Sequence, residues 1–134
     1  RAAGGQNHRM NLSDLILVKN NHFDANGGNV SVTLERVFRD KPPYVKVEVE
    51  VRNSEELAEA LKFPVDVIML DNFKPEDVVK AIALKKSSMT YEVSGGITLN
   101  NINHFCLEGV DAISIGSLTN HPPGKDISLK MYQI

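Results

Sequence analysis

Apolar residues recur along this chain in short runs, and each run stops at a polar residue or a glycine. Leu15-Ile16-Leu17-Val18 is continuous and apolar and ends at Lys19, which predicts a buried strand with a polar tip. Val45 to Val51 alternates: Val45, Val47, Val49 and Val51 fall on one face, and Lys46, Glu48 and Glu50 on the other. Such alternation suits an edge strand with a solvated face. It equally suits a barrel strand whose polar side lines an interior. Val65 to Leu70, ending at Asp71, is the next strand, followed by Tyr91 to Ser94 and Ala112 to Gly116. Four more runs of the same kind around the alternating one favour the barrel arrangement.

Helical patterns fill the gaps. Val32, Leu34 and Val37 with Phe38 predict a short helix over 31–40, stopped by Pro42-Pro43. Asp24 to Asn29 reads as a turn. Asn53 is a capping residue for a helix to Lys62, with Glu56 at the capping-box position and Leu57, Ala60 and Leu61 as its apolar stripe. Pro75 suits a first helical turn, Glu76 and Asp77 favour that end, and Lys85-Lys86 the other. Thr98 starts a predicted helix through about Leu107, ended by Gly109, which places His104 and Cys106 in a helical pattern. Residues 1–14 read as loop, and Ile127 to Tyr132 as a short amphipathic piece.

The order β-α-β-α-β-α-β-α-β, with strands starting near 15, 45, 65, 90 and 111, predicts an α/β fold with a parallel sheet and right-handed crossovers. An eight-stranded barrel takes about 250 residues, so these 134 form about five units of an incomplete parallel β/α barrel as one partial domain. A small open doubly wound sheet is the other arrangement with this order.

Composition narrows the function. The formal net charge of −2 carries no basic excess, which argues against a nucleic-acid partner. No 18-residue apolar run or signal peptide stands out, so no membrane partner is expected. The single cysteine, Cys106, has no internal disulfide partner, and a reducing, cytoplasmic setting is the expectation. The four histidines lack close metal-ligand spacing, and no P-loop, G-x-S-x-G or G-x-G-x-x-G is present.

The chemistry gathers where the strands stop. Lys19, Glu50, Asp71, Ser94 and Gly116 are five strand ends in register, and ligand sites of parallel α/β folds lie at those ends. Glu50 and Asp71, on adjacent strands, can hold Mg²⁺ through water or accept hydrogen bonds from sugar hydroxyls. Lys19 supplies a point charge for a carboxylate or phosphate. Arg9, beside His8 in a Gly-rich loop, can grip a carboxylate with two prongs. Ser94-Gly95-Gly96-Ile97 before a helix signal, with the small residues ending the last strand, can aim backbone N–H groups at one phosphate.

These strings together resemble the C-terminal, barrel-forming part of the quinolinate phosphoribosyltransferase family. The resemblance runs through Gly4-Gly5-x-Asn7-His8-Arg9, Leu17-Val18-Lys19-x-Asn21-His22, Val47-Glu48-Val49-Glu50 and Met69-Leu70-Asp71-Asn72-Phe73. It continues through Glu92-x-Ser94-Gly95-Gly96-Ile97-Thr98-Leu99-x-Asn101, Ile113-Ser114-x-Gly116-Ser117-Leu118 and Asp126-Ile127-Ser128-Leu129-Lys130. It implies an incomplete barrel and a Mg²⁺-dependent reaction of quinolinate with phosphoribosyl pyrophosphate, giving nicotinate mononucleotide, pyrophosphate and CO₂. It implies that His8, Arg9 and Lys19 hold the quinolinate carboxylates. Glu50 and Asp71 would face the ribose and the magnesium pyrophosphate, and Ser94, Gly95 and Gly116 would surround the 5′-phosphate.

The family pattern also includes an N-terminal sandwich domain and a first barrel strand with a Thr-Arg-Lys motif, neither found in these 134 residues. It works as a homodimer or larger assembly. An isolated piece of this length is therefore expected to be inactive, and a non-catalytic subunit or another phosphate-binding barrel enzyme are the competing readings. Three departures stand out: Asn20 where the family has Asp, Val93 where it has Ala, and Pro123-Gly124-Lys125 in place of Pro-Ala-Leu.

Overall fold

The computed structural model describes residues 4–120, 122 and 124–132. Position 123, one of the departures, lies outside them. Five strands form one sheet: β1 (Leu15–Val18), β2 (Lys46–Val51), β3 (Val67–Asp71), β4 (Thr90–Ser94) and β5 (Ala112–Ile113). They lie in chain order and every neighbouring pair is parallel. Parallel neighbours require crossovers, and helices supply them: α1 (Asn20–Asp24) and α2 (Val30–Asp40), α3 (Ser54–Ala60), and α4 (Pro75–Ile82). A sheet in strict sequential order is the arrangement of a barrel wall. The doubly wound order, which reverses direction at a switch point, is excluded.

The alternation in β2 sets the two faces. Val47, Val49 and Val51 are fully buried against the helices, in one core with Ile68, Leu70, Tyr91, Val93, Leu57 and Val78. Glu48 and Glu50 point the other way, toward the barrel interior. The family departure at Val93 falls on the helix side, in this core and on the opposite face from Ser94.

The helix starts follow the sequence. Asn29 Oδ1 accepts from Val32 N–H (2.9 Å) and Asn53 Oδ1 from Glu56 N–H (2.8 Å). Glu56 returns to Arg52 N–H (2.7 Å), one residue before the expected partner, and also grips the Arg52 guanidinium. Pro75 opens α4. At the opposite end of the sheet an aspartate fastens adjacent strands twice over. Asp66 accepts from Val47 N–H (2.8 Å), and Asp111 from Tyr91 N–H (2.6 Å).

Three expectations fail, and one helix has no counterpart in the sequence pattern. The chain after Lys19 is helical (α1), because His22 Nδ1 accepts the Lys19 N–H (2.9 Å) and closes a first turn. The helix expected over 98–107 is a single 3₁₀ turn at Ile102–His104. Asn101 takes the backbone for itself there: its Oδ1 accepts Thr98 N–H (2.7 Å) and its Nδ2 donates to Gly96 O (3.0 Å). His104 therefore ends a single 3₁₀ turn rather than lying within a longer helix, and Cys106 lies outside any helix and is exposed. The last strand is regular only over Ala112–Ile113, though Ser114 N–H still reaches Val93 O (2.9 Å), and a short helix α5 (Ser117–Asn120) follows. Ile127 to Tyr132 form no helix or strand, and Ile127, Leu129, Met131 and Tyr132 stand exposed. Among the described residues, no helix is long and apolar enough to cross a membrane.

Candidate functional site

Strand register decides which side chains share the inward face. Glu50 pairs with Met69, Met69 with Glu92, and Glu92 with Ala112. Two residues further along β3, Asp71 pairs with Ser94. Glu50, Asp71 and Ser94 therefore rise along one face toward the C-terminal ends of β2, β3 and β4. Lys19 joins them from the end of β1. Its ammonium lies 3.4 Å from Glu50 Oε2, with half of the lysine side chain in water and the carboxylate almost enclosed (52% and 8% exposed). The Asn20 departure leaves that pair alone: Asn20 Oδ1 accepts Asn21 N–H (2.7 Å), and the ammonium is held by Glu50.

The loop carrying His8 and Arg9 closes over this face. Arg9 Nη1 donates to Leu15 O (3.3 Å), tying the guanidinium to the start of β1. His8 Nε2 reaches deeper, to Glu48 at 2.8 Å and Glu92 at 3.9 Å. The Ser114 hydroxyl donates to Glu92 from the other side. Burial holds the Glu48 carboxyl above its ordinary range and the negative charge of Glu92 adds to that, while the His8 hydrogen bond and the charge of Arg9 pull it back.

Glu48, Glu92 and Ser114 are the site residues that residue-by-residue reading missed. A signal was present, since the Val45 to Val51 alternation already places Glu48 on the same face as Glu50. The ligand atoms of His8, Glu48 and Glu92 lie within 4.8 Å of one another, a group able to hold a metal ion. It includes a nitrogen donor. Glu50 and Asp71 offer oxygen alone, the donor set magnesium prefers.

The loop after β4 is shaped by glycine. Gly95 and Gly96 both have positive φ (93° and 62°). At Gly95 a side chain has no room, because its Cβ would lie 2.3 Å from Asn72 Oδ1. Asn72 itself adopts φ 56°, and its N–H donates to Ser94 O (2.9 Å), so the loops after β3 and β4 are locked together. Among the described residues, the Gly95 and Gly96 N–H groups donate to no protein acceptor, as a backbone cradle for an anion requires. Gly116, expected as the last strand's end, lies three residues beyond β5, just before α5, where its carbonyl accepts the Thr119 and Asn120 N–H groups of that helix (3.0 and 2.9 Å).

All eight predicted site residues thus lie at the C-terminal ends of the strands, in the segments that follow them, or in the loop closing over them. A groove outside the sheet between α3 and α4, lined by Arg52, Asn53, Phe73, Lys74 and Lys80, shares none of these residues.

Comparison with known proteins bears on the same region. Residues 1–130 match the family model described as quinolinate phosphoribosyl transferase, C-terminal domain. The nicotinate-nucleotide pyrophosphorylase (carboxylating) of Rattus norvegicus is 39% identical over 132 residues, covering 96% of this chain and 44% of that protein. The probable enzyme of the same name from Methanocaldococcus jannaschii is 41% identical over 133 residues, covering 94% and 46%. Among solved structures, NadC from Streptococcus pyogenes superposes with a TM-score of 0.79 at 40% identity, covering 87% of this chain and 41% of that one. The pyrophosphorylase from Francisella tularensis gives 0.76 at 39%, covering 88% and 41%. The chain therefore spans about half or less of the length of the relatives it matches.

Proposed function

The chain belongs to the quinolinate phosphoribosyl transferase C-terminal domain family, and on that premise we propose that the protein carrying it condenses quinolinate with phosphoribosyl pyrophosphate. The products are nicotinate mononucleotide, pyrophosphate and CO₂, a step of NAD biosynthesis. The supporting observation is the Lys19–Glu50 pair at the mouth of the sheet, with Asp71 and Ser94 on the next two strands. A cation and carboxylates at one mouth suit a reaction between two polyanions that passes through a cation.

In this reading His8 and Arg9, with Lys19, hold the two carboxylates of quinolinate. The Gly95 and Gly96 N–H groups, Ser94, and Gly116 in the segment after β5 surround the 5′-phosphate. The C1–oxygen bond to pyrophosphate breaks, and positive charge develops on the ribose. Glu50 and Asp71 stabilise that charge and accept hydrogen bonds from the sugar hydroxyls. The pyridine nitrogen then supplies the electron pair for the new bond to C1. With the nitrogen cationic, the C2–carboxylate bond breaks, CO₂ leaves, and the electron pair stays at C2, where a proton replaces it. No protein nucleophile is needed, and the chain contributes orientation and charge. Glu50 and Asp71 would hold Mg²⁺ through water, and its chemistry there is to offset charge on the departing pyrophosphate.

The family resemblance extends the proposal. The sandwich domain and the first barrel strand would come from the length of the relatives beyond this chain, in a cytoplasmic homodimer or larger assembly. The 134 residues alone would then be inactive.

The test is release of ¹⁴CO₂ from quinolinate labelled at its C2 carboxyl by the full-length protein. Release is expected only with both phosphoribosyl pyrophosphate and Mg²⁺, and not from the 134-residue chain. A full-length protein that shows no such release under those conditions would refute the reading and favour a non-catalytic subunit or a different phosphate-using enzyme.

A further inference from the structure

Glu48 is the most deeply buried charged side chain among the described residues, at 1% exposed. It lies below the mouth, one pleat deeper than Glu50. A carboxylate in that position is costly unless it is paired and hydrogen-bonded. Its partner comes from 40 residues earlier: His8 Nε2 lies 3.0 Å from Oε1 and 2.8 Å from Oε2.

The remaining side-chain bonds of the loop stay at home. Asn7 bonds Met10, Asp14 accepts from Met10 and Asn11, and Arg9 reaches only the start of its own strand. Among the described residues, the His8–Glu48 contact is thus the side-chain hydrogen bond that fastens the loop across to β2. Glu92 stands behind it, and Ser114 fixes Glu92 from the end of β5. Carboxylates from two strands, β2 and β4, therefore converge on one imidazole nitrogen, the second of them held by Ser114.

An ionised carboxylate can only accept, so Nε2 must donate. The Nδ1 edge is left for the open side of a ring that is 30% exposed. We propose that Glu48 is a positioning residue for the quinolinate site: it fixes the ring of His8, and with it the loop that presents Arg9, in the orientation that receives a carboxylate. This assignment rests on the proposal that His8 and Arg9 bind quinolinate. Glu48 itself touches no substrate.

The test is a double-mutant cycle in the full-length protein with Glu48→Gln, His8→Ala and the pair. Replacing the charged acceptor of this hydrogen bond by a neutral amide is expected to raise the quinolinate KM about 10-fold in E48Q. The KM for phosphoribosyl pyrophosphate should stay within about twofold. In the H8A background E48Q should add almost nothing, because residues acting through one contact are not additive. An unchanged quinolinate KM in E48Q, or the same rise with and without His8, overturns the assignment. Should E48Q fail to fold, S114A probes the network from its rim, and an unchanged quinolinate KM there overturns it instead.

A histidine ¹⁵N spectrum keeps this test separate from the functional reading. E48Q should move the His8 Nε2 resonance and leave those of His22 and His104 in place. If the wild-type protein does not consume quinolinate, the functional reading falls. The His8 resonance still decides whether Glu48 holds the ring, and an unmoved signal refutes that claim.

Discussion

Gly95 lies so close to Asn72 that a methyl group on it would sit 2.3 Å from the Asn72 side-chain oxygen and 2.7 Å from its backbone nitrogen. Both residues have positive φ, so neither loop can retreat by taking an ordinary conformation. Gly95→Ala is expected to cost about 1–2 kcal/mol for the left-handed backbone alone, and more from the collision. Urea denaturation of G95A measures it, and stability within error of wild type would show that the two loops yield. Gly96, whose Cβ would meet nothing within 4 Å, should cost only the backbone part on the same change.

Tyr91 is fully buried, and its hydroxyl has no hydrogen-bond partner among the described residues. Burial pushes the phenol above its ordinary range. The ring is useful and the oxygen is not. Tyr91→Phe is expected to be neutral or to stabilise the fold by up to about 1–3 kcal/mol, the cost of a buried unpaired polar group. Tyr91→Ala should cost about 3–5 kcal/mol. A Phe variant that melts well below wild type would mean that the hydroxyl has a partner after all.

Asp111 gives the chain a definable acid sensitivity. Burial raises its carboxyl, but the Lys85 ammonium and the Tyr91 N–H outweigh burial and hold it below the ordinary value of 3.8. With the folded value depressed, the unfolded chain takes up the proton first as pH falls. The contribution is complete above the unfolded value and disappears as pH drops through the folded one. Asp111→Asn should therefore be less stable than wild type at pH 7, with the gap closing below about pH 4. Equal gaps at pH 7 and pH 3 would assign the effect to shape rather than charge.

Lys19 separates stability from activity. Half of its side chain is in water, so its pair with Glu50 is screened, and Lys19→Met is expected to cost no more than about 1 kcal/mol of stability. In the full-length protein the same change should lower kcat/KM for quinolinate about 100-fold, as loss of a fixed charge at a reacting centre does. Steady-state kinetics beside a melting curve decide it. Near-normal turnover would remove Lys19 from the proposed site.

Much of this was legible from period alone. Val47, Val49 and Val51 announced one buried face of β2, and Lys19, Glu50, Asp71 and Ser94 do stand at the ends of their strands, whereas the last strand stops short of Gly116. What could not be read is distance across the sheet. Glu48 meets His8 because a loop 40 residues away in sequence folds over the sheet, and Glu92 meets Ser114 through the register of segments 22 residues apart, and no local pattern encodes either. The failed helix after Thr98 has a local cause that composition did contain: Asn100, Asn101 and Asn103 compete for the backbone they would have to leave free. Helix α1 was missed for the opposite reason, because a histidine does the capping that Ser, Thr, Asp or Asn usually does.

The strict sequential order of the strands also bears on how the chain folds. Every strand pairs with the one made just before it, so no segment has to wait for a distant piece of chain. On a ribosome the sheet can grow from one edge, each β/α unit settling on a finished neighbour as it emerges. Short-range pairings of this kind favour quick folding for a parallel sheet, a class otherwise slowed by distant contacts. Removing the C-terminal unit should accordingly disturb β4 more than β1, a gradient that hydrogen exchange along the sheet would display.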